Sequence, residues 1–176
     1  MRKKLVFCAM GVALSMVTSY VKLWHMPMGG SITLMSMFFI TVIGYWYGLR
    51  LGVTTAIAYG LLQLILDPYV ISIPQLICDY VLAFGALGLS GLFQNRKHGL
   101  YEGYIVGVIG RFIFTFLSGV IFFGMYAADY GMSAVVYSFL YNAGYILPEL
   151  VLTLIITSLK PVKSVLERVK TMATTS

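Results

Sequence analysis

The chain has 176 residues, of which 60% are hydrophobic and only 10% are charged, and its mean hydropathy is +0.90. A water-soluble domain of this length does not need so much apolar surface, so the composition indicates an all-α protein that crosses a membrane several times. The net charge of +6 does not predict a nucleic-acid partner, because the basic residues lie at the ends of apolar segments, where such residues set membrane orientation.

Six apolar segments predict six transmembrane helices in one integral membrane domain, residues 1–176. Each is close to the roughly 20 residues that cross a bilayer as a helix. The first looks like a signal peptide, but no small-x-small cleavage site follows it, so we interpret it as a retained span. The segments are Lys4–Leu23, Ser31–Gly48, Leu49–Leu66, Ile73–Phe93, Tyr101–Tyr126 and Ser133–Leu159.

The basic residues predict the orientation of these segments. If there are six spans, most Lys and Arg residues fall on one side of the membrane. They lie before the first span, between the second and third, between the fourth and fifth, and after the sixth. That asymmetry predicts cytoplasmic N and C termini, with residues 160–176 as a basic, weakly amphipathic cytoplasmic tail at the lipid surface.

The sequence also lacks the motifs of several function classes. No G-x-x-x-x-G-K-[ST] phosphate loop occurs, so any ATP dependence must come from another subunit. Cys8 and Cys78 lie in different apolar segments, and His25 and His98 are far apart, so no metal motif is present. Because H-E-x-x-H and G-x-S-x-G are also missing, an intramembrane enzyme is a poor match, and we expect no enzyme activity, cofactor or metal.

Polar side chains inside the last three spans predict a cavity. Asp79 lies in the fourth span, and a charge at membrane depth costs roughly 2.5–3.5 kcal/mol or more unless it has a partner or faces a cavity. In the sixth span Tyr137, Tyr141 and Tyr145 form an aromatic ridge beside Asn142. We therefore expect the outer halves of these spans to surround one cavity for a cationic, aromatic ligand. The alternative for Asp79 is a simple ion pair with Arg111 of the fifth span.

Several stretches of the chain together resemble the ThiT (YuaJ) family of thiamine transporters, from about Met26 to Glu149. These stretches are HMPMGGSITLMSM, YGLLQLILDPYV, QLICDYVLAFGALGLSGLF, FLSGVIFF and VYSFLYNAGYILPEL. Members are substrate-binding S components of energy-coupling factor (ECF) transporters. The resemblance implies a six-helix S component in the plasma membrane of a prokaryote. Its implied partners are thiamine, an ECF transmembrane coupling subunit and two ABC-type ATPases.

The resemblance also implies ligand-binding residues. Asp79 matches the family's acidic residue, and Tyr80 the tyrosine after it; Phe123 falls at a stacking aromatic. The other matches are Tyr69 in the loop before the fourth span and Tyr137 and Asn142 in the sixth, with Tyr141 on the same ridge. Two departures concern the site: Thr115 stands where members commonly have histidine, and Val135 where tryptophan is frequent. They leave open a ligand related to thiamine or another vitamin.

Ala9 and Ala13 form a small-residue face on the first span, which resembles the surface that docks the coupling subunit in S components. The alternative is close packing within the bundle. A free-standing proton-coupled carrier, with Asp79, Glu149 or Arg111 in a proton path, is the rival function. The missing inverted repeat weighs against it.

Overall fold

The computed structural model describes residues 2–175. Within these residues the chain is mostly helical, with one short β-hairpin between the first two helices. The elements in order are α1 (Arg2–Ser19), β1 (Lys22–His25), β2 (Ser31–Thr33), α2 (Phe38–Tyr47), α3 (Leu49–Leu66), α4 (Ile73–Phe93), α5 (Gly99–Phe122), a 3-10 helix (Gly124–Tyr130), α6 (Ala134–Ser158) and α7 (Lys160–Thr174).

Four of the described helices, α3 to α6, are long and apolar enough to cross a membrane. Helix α1 has 18 residues but starts with three basic ones, and α2 is apolar but has only 10 residues. The prediction of a mostly helical protein with several membrane-crossing helices is therefore confirmed at this level. The six-span count and the orientation of the termini stay predictions.

The second apolar segment does not form the single helix predicted for residues 31–48. Residues 31–33 pair with β1 in an antiparallel hairpin, with His25 opposite Ser31 and Trp24 opposite Ile32, and α2 begins only at Phe38. The predicted first helix likewise ends early, at Ser19, because residues 22 and 23 belong to β1. Gly29 and Gly30 have φ angles of +95° and +76°, a conformation that glycine adopts without strain, and they close the turn of the hairpin.

Helices α2, α3 and α4 pack backbone against backbone through glycine. A Cβ atom added at Gly52 would lie 2.6 Å from the Cα of Gly44 and 2.8 Å from the carbonyl oxygen of Gly88. Such close approach is how membrane helices associate without large side chains between them. Helix α4 is irregular, with a π-helical turn over Ile77–Leu82 and 3-10 geometry over Ala86–Phe93.

Helix α7 lies across the same end of the bundle as the start of α1 and the end of α2. Lys3 Nζ donates to the Thr175 carbonyl (2.6 Å), and Tyr47 Oη donates to the Ala173 carbonyl (3.1 Å). The predicted tail is thus an ordered helix packed on the bundle. We call this the basic end, because it holds every Lys and Arg except Lys22 and Arg111. The opposite end, with the β-hairpin, is the hairpin end.

Candidate ligand-binding site

A cavity of about 690 Å³ opens at the hairpin end between the hairpin and helices α3 to α6. All eight residues predicted to bind a ligand line it. They are Tyr69, Asp79, Tyr80, Thr115, Phe123, Tyr137, Tyr141 and Asn142. The structure thus brings together side chains from four separate stretches of sequence.

Asp79 lies in the π-helical turn of α4 and is held by a single side-chain partner. Gln75 Nε2 donates to Asp79 Oδ2 at 2.6 Å and also contacts the Tyr69 carbonyl at 3.2 Å. Gln75 is 1% exposed, and its Oε1 accepts the Ile71 backbone N–H, so the amide is fixed at both ends. A carboxylate accepts about four hydrogen bonds, so most of the capacity of Asp79 is left for a ligand.

Aromatic rings form the mouth of the cavity. Tyr69 stacks on Phe123 with ring centroids 5.8 Å apart, Phe123 stacks on Tyr126 at 6.4 Å, and the Tyr69 and Tyr126 hydroxyls are 2.6 Å apart. The hydrogen bond with Tyr126 raises the pKa of the Tyr69 phenol above its usual value. Tyr80 Oη is tied to the same loop, accepting from the Tyr69 N–H and donating to the Asp67 carbonyl.

The aromatic ridge predicted on the sixth span is present on α6. Consecutive ring centroids are 6.0 Å apart for Tyr137 and Tyr141 and 5.7 Å apart for Tyr141 and Tyr145, and Tyr130 stacks on Tyr137 at 5.5 Å. Rings four residues apart on a helix lie one above the other, which produces this continuous wall. Val135 does not belong to it, because its side chain is exposed away from the cavity lining.

Asn142 is buried beside the ridge and is nearly saturated as a donor. Its Nδ2 donates to the Ser138 carbonyl (2.9 Å) and lies 3.4 Å from the Thr115 carbonyl, while its Oδ1 accepts from Tyr145 Oη (3.1 Å). An amide oxygen has two lone pairs, so Asn142 can accept one more hydrogen bond but has no spare proton to donate. Thr115 Oγ1 donates to the Arg111 carbonyl one turn earlier (3.1 Å), so its hydroxyl also offers an acceptor.

The alternative ion pair between Asp79 and Arg111 is not formed. Within residues 2–175 one salt bridge is formed, between Arg96 and Glu102. No carboxylate in this range lies within 4.0 Å of the Arg111 guanidinium. The guanidinium carbon instead lies 4.2 Å from the centroid of the Phe84 ring, a cation–π contact, and its Nε is buried without a hydrogen-bond partner. Arg111 lines the cavity.

Glu149 has a structural role that the sequence pattern did not reveal. Its carboxylate, 2% exposed, accepts hydrogen bonds from Thr33 Oγ1 (2.5 Å), Ser36 Oγ (2.9 Å) and the Met37 backbone N–H (3.2 Å). Thr33 belongs to β2 and Ser36 to the turn that follows, while the Met37 N–H directly precedes α2, where helix N–H groups lack partners and the helix dipole favours negative charge. Glu149 therefore caps a helix that begins inside the bundle.

The hairpin also contributes to the cavity lining, through Met28, Gly30, Ser31 and Thr33. Ser31 and Thr33 were missed because Ser31–Gly48 was assigned to a transmembrane helix, and Met28 and Gly30 because they were assigned to the loop before it. The signal that could have found them is the pair Gly29 and Gly30, which is typical of a tight turn and unfavourable in a helix.

Ala9 and Ala13 are exposed on the outside of the bundle, so the alternative of internal packing is wrong. The face of α1 that packs inward carries Cys8, Gly11 and Ser15 instead. A Cβ added at Gly11 would approach the Ile43 side chain at 2.7 Å, which marks the true contact with α2.

A bundle of apolar, membrane-length helices with a polar and aromatic cavity at one end is the architecture of a membrane protein with a small-molecule site. Among residues 2–175 no group of three His, Cys, Asp or Glu side chains could hold a metal ion. The cavity supplies a carboxylate, amide and hydroxyl acceptors, and aromatic faces, a combination suited to a cationic or amine-bearing ring.

Comparisons with known proteins agree that this is a membrane protein with a small-molecule site, and they identify its family. The family model described as "Thiamine transporter protein (Thia_YuaJ)" matches residues 5–167. Similar relatives are the thiamine transporters ThiT of Bacillus subtilis, 32% identical over 76% of each chain, and of Lacticaseibacillus paracasei, 31% identical over 66% of each chain. A solved structure of ThiT from Listeria monocytogenes has a TM-score of 0.71 at 26% identity, covering 90% of this chain and 94% of that one.

This chain belongs to the thiamine transporter family. The resemblance stated from the sequence is thereby confirmed, as is the expectation of a transport protein rather than an enzyme.

Proposed function

We propose that this protein is the thiamine-binding S component of an ATP-driven ECF vitamin transporter and captures its substrate from the extracellular side. The observation that carries the proposal is the placement of Asp79, one of its oxygens unused, in an aromatic cavity of about 690 Å³. That volume is within the range of about 300–1,000 Å³ of small-molecule sites. Family membership supplies the chemical class of ligand.

Thiamine is a permanent cation joined to an aminopyrimidine, and the cavity offers a partner for each part. Asp79 and the free lone pair of Asn142 Oδ1 accept hydrogen bonds from the exocyclic amine. The thiazolium lies toward Tyr69 and Phe123, because the cation of Arg111 repels it from the deeper wall and the aromatic faces attract it. Tyr80, Tyr137 and Tyr141 enclose the rings. Thr115 offers one hydrogen-bond acceptor at the position where family members commonly have a histidine ring.

Topology and partners complete the proposal. Helices α1 and α2 cross the membrane together with α3 to α6, and the basic end faces the cytoplasm of a prokaryote. The exposed face of Ala9 and Ala13 docks the transmembrane coupling subunit, which two ABC-type ATPases drive. The exposure of both alanines supports this docking, since a small-residue face outside the bundle permits close approach by another helix.

Titration calorimetry of thiamine and of its separate pyrimidine and thiazole halves against the detergent-solubilised protein tests the ligand. Thiamine is expected to bind more tightly than either half, because the cavity contacts both rings. If neither thiamine nor a half binds, while another vitamin does, the protein is an S component of different specificity, the reading that Thr115 favours.

Uptake assays test the coupling. Ala9→Trp and Ala13→Trp are expected to abolish thiamine uptake and spare binding, whereas Ala58→Trp, on an exposed position of α3, leaves both intact. A rival outcome is uptake by the chain without any ATPase that a proton uncoupler stops; it identifies a free-standing proton-coupled carrier and contradicts the S-component proposal.

A further inference from the structure

A second, smaller cavity at the basic end belongs to no part of the proposed thiamine site. It measures about 230 Å³ and lies between α7, the end of α2 and the start of α5. Its floor is apolar and aromatic, with Val42, Trp46 and Leu100, while its rim is cationic. A cavity with this division of surface suits a molecule that has both an ionic and an apolar part.

The rim carries an excess of positive charge. Lys97 and His98 come from the turn before α5, and Lys163 and Lys170 from α7, against the single acid Glu167. In the described part of the chain no carboxylate lies within 4.0 Å of these three lysines. The three ammonium groups come from two elements and line one cavity. Because they have no acidic partner, they attract an anion.

Tyr45 adds a neutral donor at the same place. Its side chain is buried, its hydroxyl accepts a hydrogen bond from Lys170 Nζ at 2.8 Å, and the same ammonium lies 4.4 Å from the ring centroid. Within residues 2–175 this hydroxyl donates to no group, so its proton is available. The pair therefore presents an O–H donor and an ammonium side by side, and both can hydrogen-bond to phosphate oxygens.

We propose that this pocket binds the phosphate group of an anionic phospholipid. Basic pockets between transmembrane helices are typical sites for anionic headgroups, and they are most useful on the side where such lipids accumulate. The position of the pocket at the level of the helix ends places it at headgroup depth. Leu159, which directly precedes α7, and Val165 within α7 have exposed apolar side chains at the same end of the molecule, and these offer a surface for the acyl chains.

Fluorescence quenching of Trp46 can measure occupancy, because this tryptophan lines the pocket. The other tryptophan, Trp24, lies in the hairpin and is removed by Trp24→Phe. The purified protein in nanodiscs is titrated with bromine-labelled phosphatidylglycerol or with bromine-labelled phosphatidylcholine. Phosphatidylglycerol is expected to quench Trp46 at lower mole fraction, and inorganic phosphate in the buffer is expected not to compete.

Charge-matched variants distinguish the effect of the pocket lysines on lipid binding from the effect of the total positive charge at the basic end. Lys97→Gln/Lys163→Gln/Lys170→Gln is expected to weaken phosphatidylglycerol binding about a hundredfold, at about fivefold per lysine. The control Arg50→Gln/Lys160→Gln/Arg168→Gln removes equal charge from residues outside the pocket and is expected to change binding less than threefold. Lys97→Gln/Lys163→Gln keeps the Lys170–Tyr45 bond and serves if the triple variant melts early.

The proposal is overturned if both charge-matched variants lose binding equally, since the effect is then nonspecific. It is also overturned if free phosphate competes at millimolar concentration, which assigns the pocket to a soluble anion. A third outcome also overturns it: the pocket variant binds lipid as well as the parent protein does but fails to co-purify with the coupling subunit. The pocket would then be a protein-docking site instead.

Discussion

Two carboxylates lie inside the helical bundle, and the contrast between their surroundings separates structure from binding. Glu149 receives three hydrogen bonds, two from hydroxyls and one from the backbone N–H of Met37, the residue just before α2. Asp79 receives one, from Gln75, and its remaining capacity faces a cavity. A buried charge that is fully satisfied stabilises the fold, whereas one left partly unsatisfied is available to a ligand.

The backbone around the two carboxylates also differs, and again the difference separates a structural role from a binding role. Glu149 caps a short, regular helix that begins inside the bundle, so its neighbours depend on it for their hydrogen bonds. Asp79 lies in a π-helical turn, a geometry that is rare and frequent at functional sites. Acidic side chains in apolar helices are therefore not equivalent, and their partners decide their role.

The largest effect is expected for Glu149→Ala. It leaves the Ser36 hydroxyl and the Met37 N–H without an acceptor, while the Thr33 hydroxyl keeps Ser36 Oγ, and unsatisfied buried groups cost about 1–3 kcal/mol each. We expect a clearly lower thermal midpoint of the detergent-solubilised protein, measured by differential scanning fluorimetry. Glu167→Ala, at an exposed position of α7, is the matched control and should melt like the parent. An unchanged midpoint for Glu149→Ala would show that the cap is dispensable.

Asp79→Asn should weaken thiamine binding at least tenfold with little change in thermal midpoint. The amide keeps the shape of the side chain but loses a charge-assisted contact, worth about 1.5–3 kcal/mol. Calorimetry and scanning fluorimetry on the same preparation separate affinity from stability. Equal dissociation constants for variant and parent would remove Asp79 from the site.

Gln75→Met should have a smaller effect, through the position of Asp79. The methionine fills the space but cannot donate to Asp79 Oδ2, and a hydrogen bond of this kind contributes about 1 kcal/mol, so affinity should fall about threefold to tenfold. Gln63→Met is the control, since Gln63 also lines the cavity but donates to Tyr59. If both variants bind thiamine alike, Gln75 does not position the carboxylate.

Thr115→His is expected to have the smallest effect. Thr115 lines the cavity with its hydroxyl bonded to the Arg111 carbonyl, so it contributes little to a ligand beyond one acceptor. The histidine supplies a ring and a hydrogen-bonding nitrogen, and thiamine binding should tighten or stay unchanged in calorimetry. Lost binding, in a protein whose parent prefers one half of thiamine or another vitamin, would mark Thr115 as a specificity change and withdraw the thiamine assignment.

Much of the candidate site could be predicted because its residues carry local signals. Asp79 and Asn142 are costly in an apolar helix, and the tyrosines at 137, 141 and 145 share a face by helical spacing alone, so their convergence on one cavity follows from pattern. The bounds of α3, α4 and α6 agree with the predicted segments to within one residue. Glycine and charge mark those ends in the sequence itself.

The sequence by itself determined the helical membrane class, the order of the long helices and the polar faces of the last three spans, because composition and periodicity depend only on neighbouring residues. Only the tertiary structure decided that residues 31–33 form a strand, that Glu149 caps α2, that Arg111 stacks on Phe84, and that Ala9 and Ala13 point outward. The physical reason is that each of these outcomes depends on a partner far along the chain. The three donors to Glu149, for example, are 112 to 116 residues away.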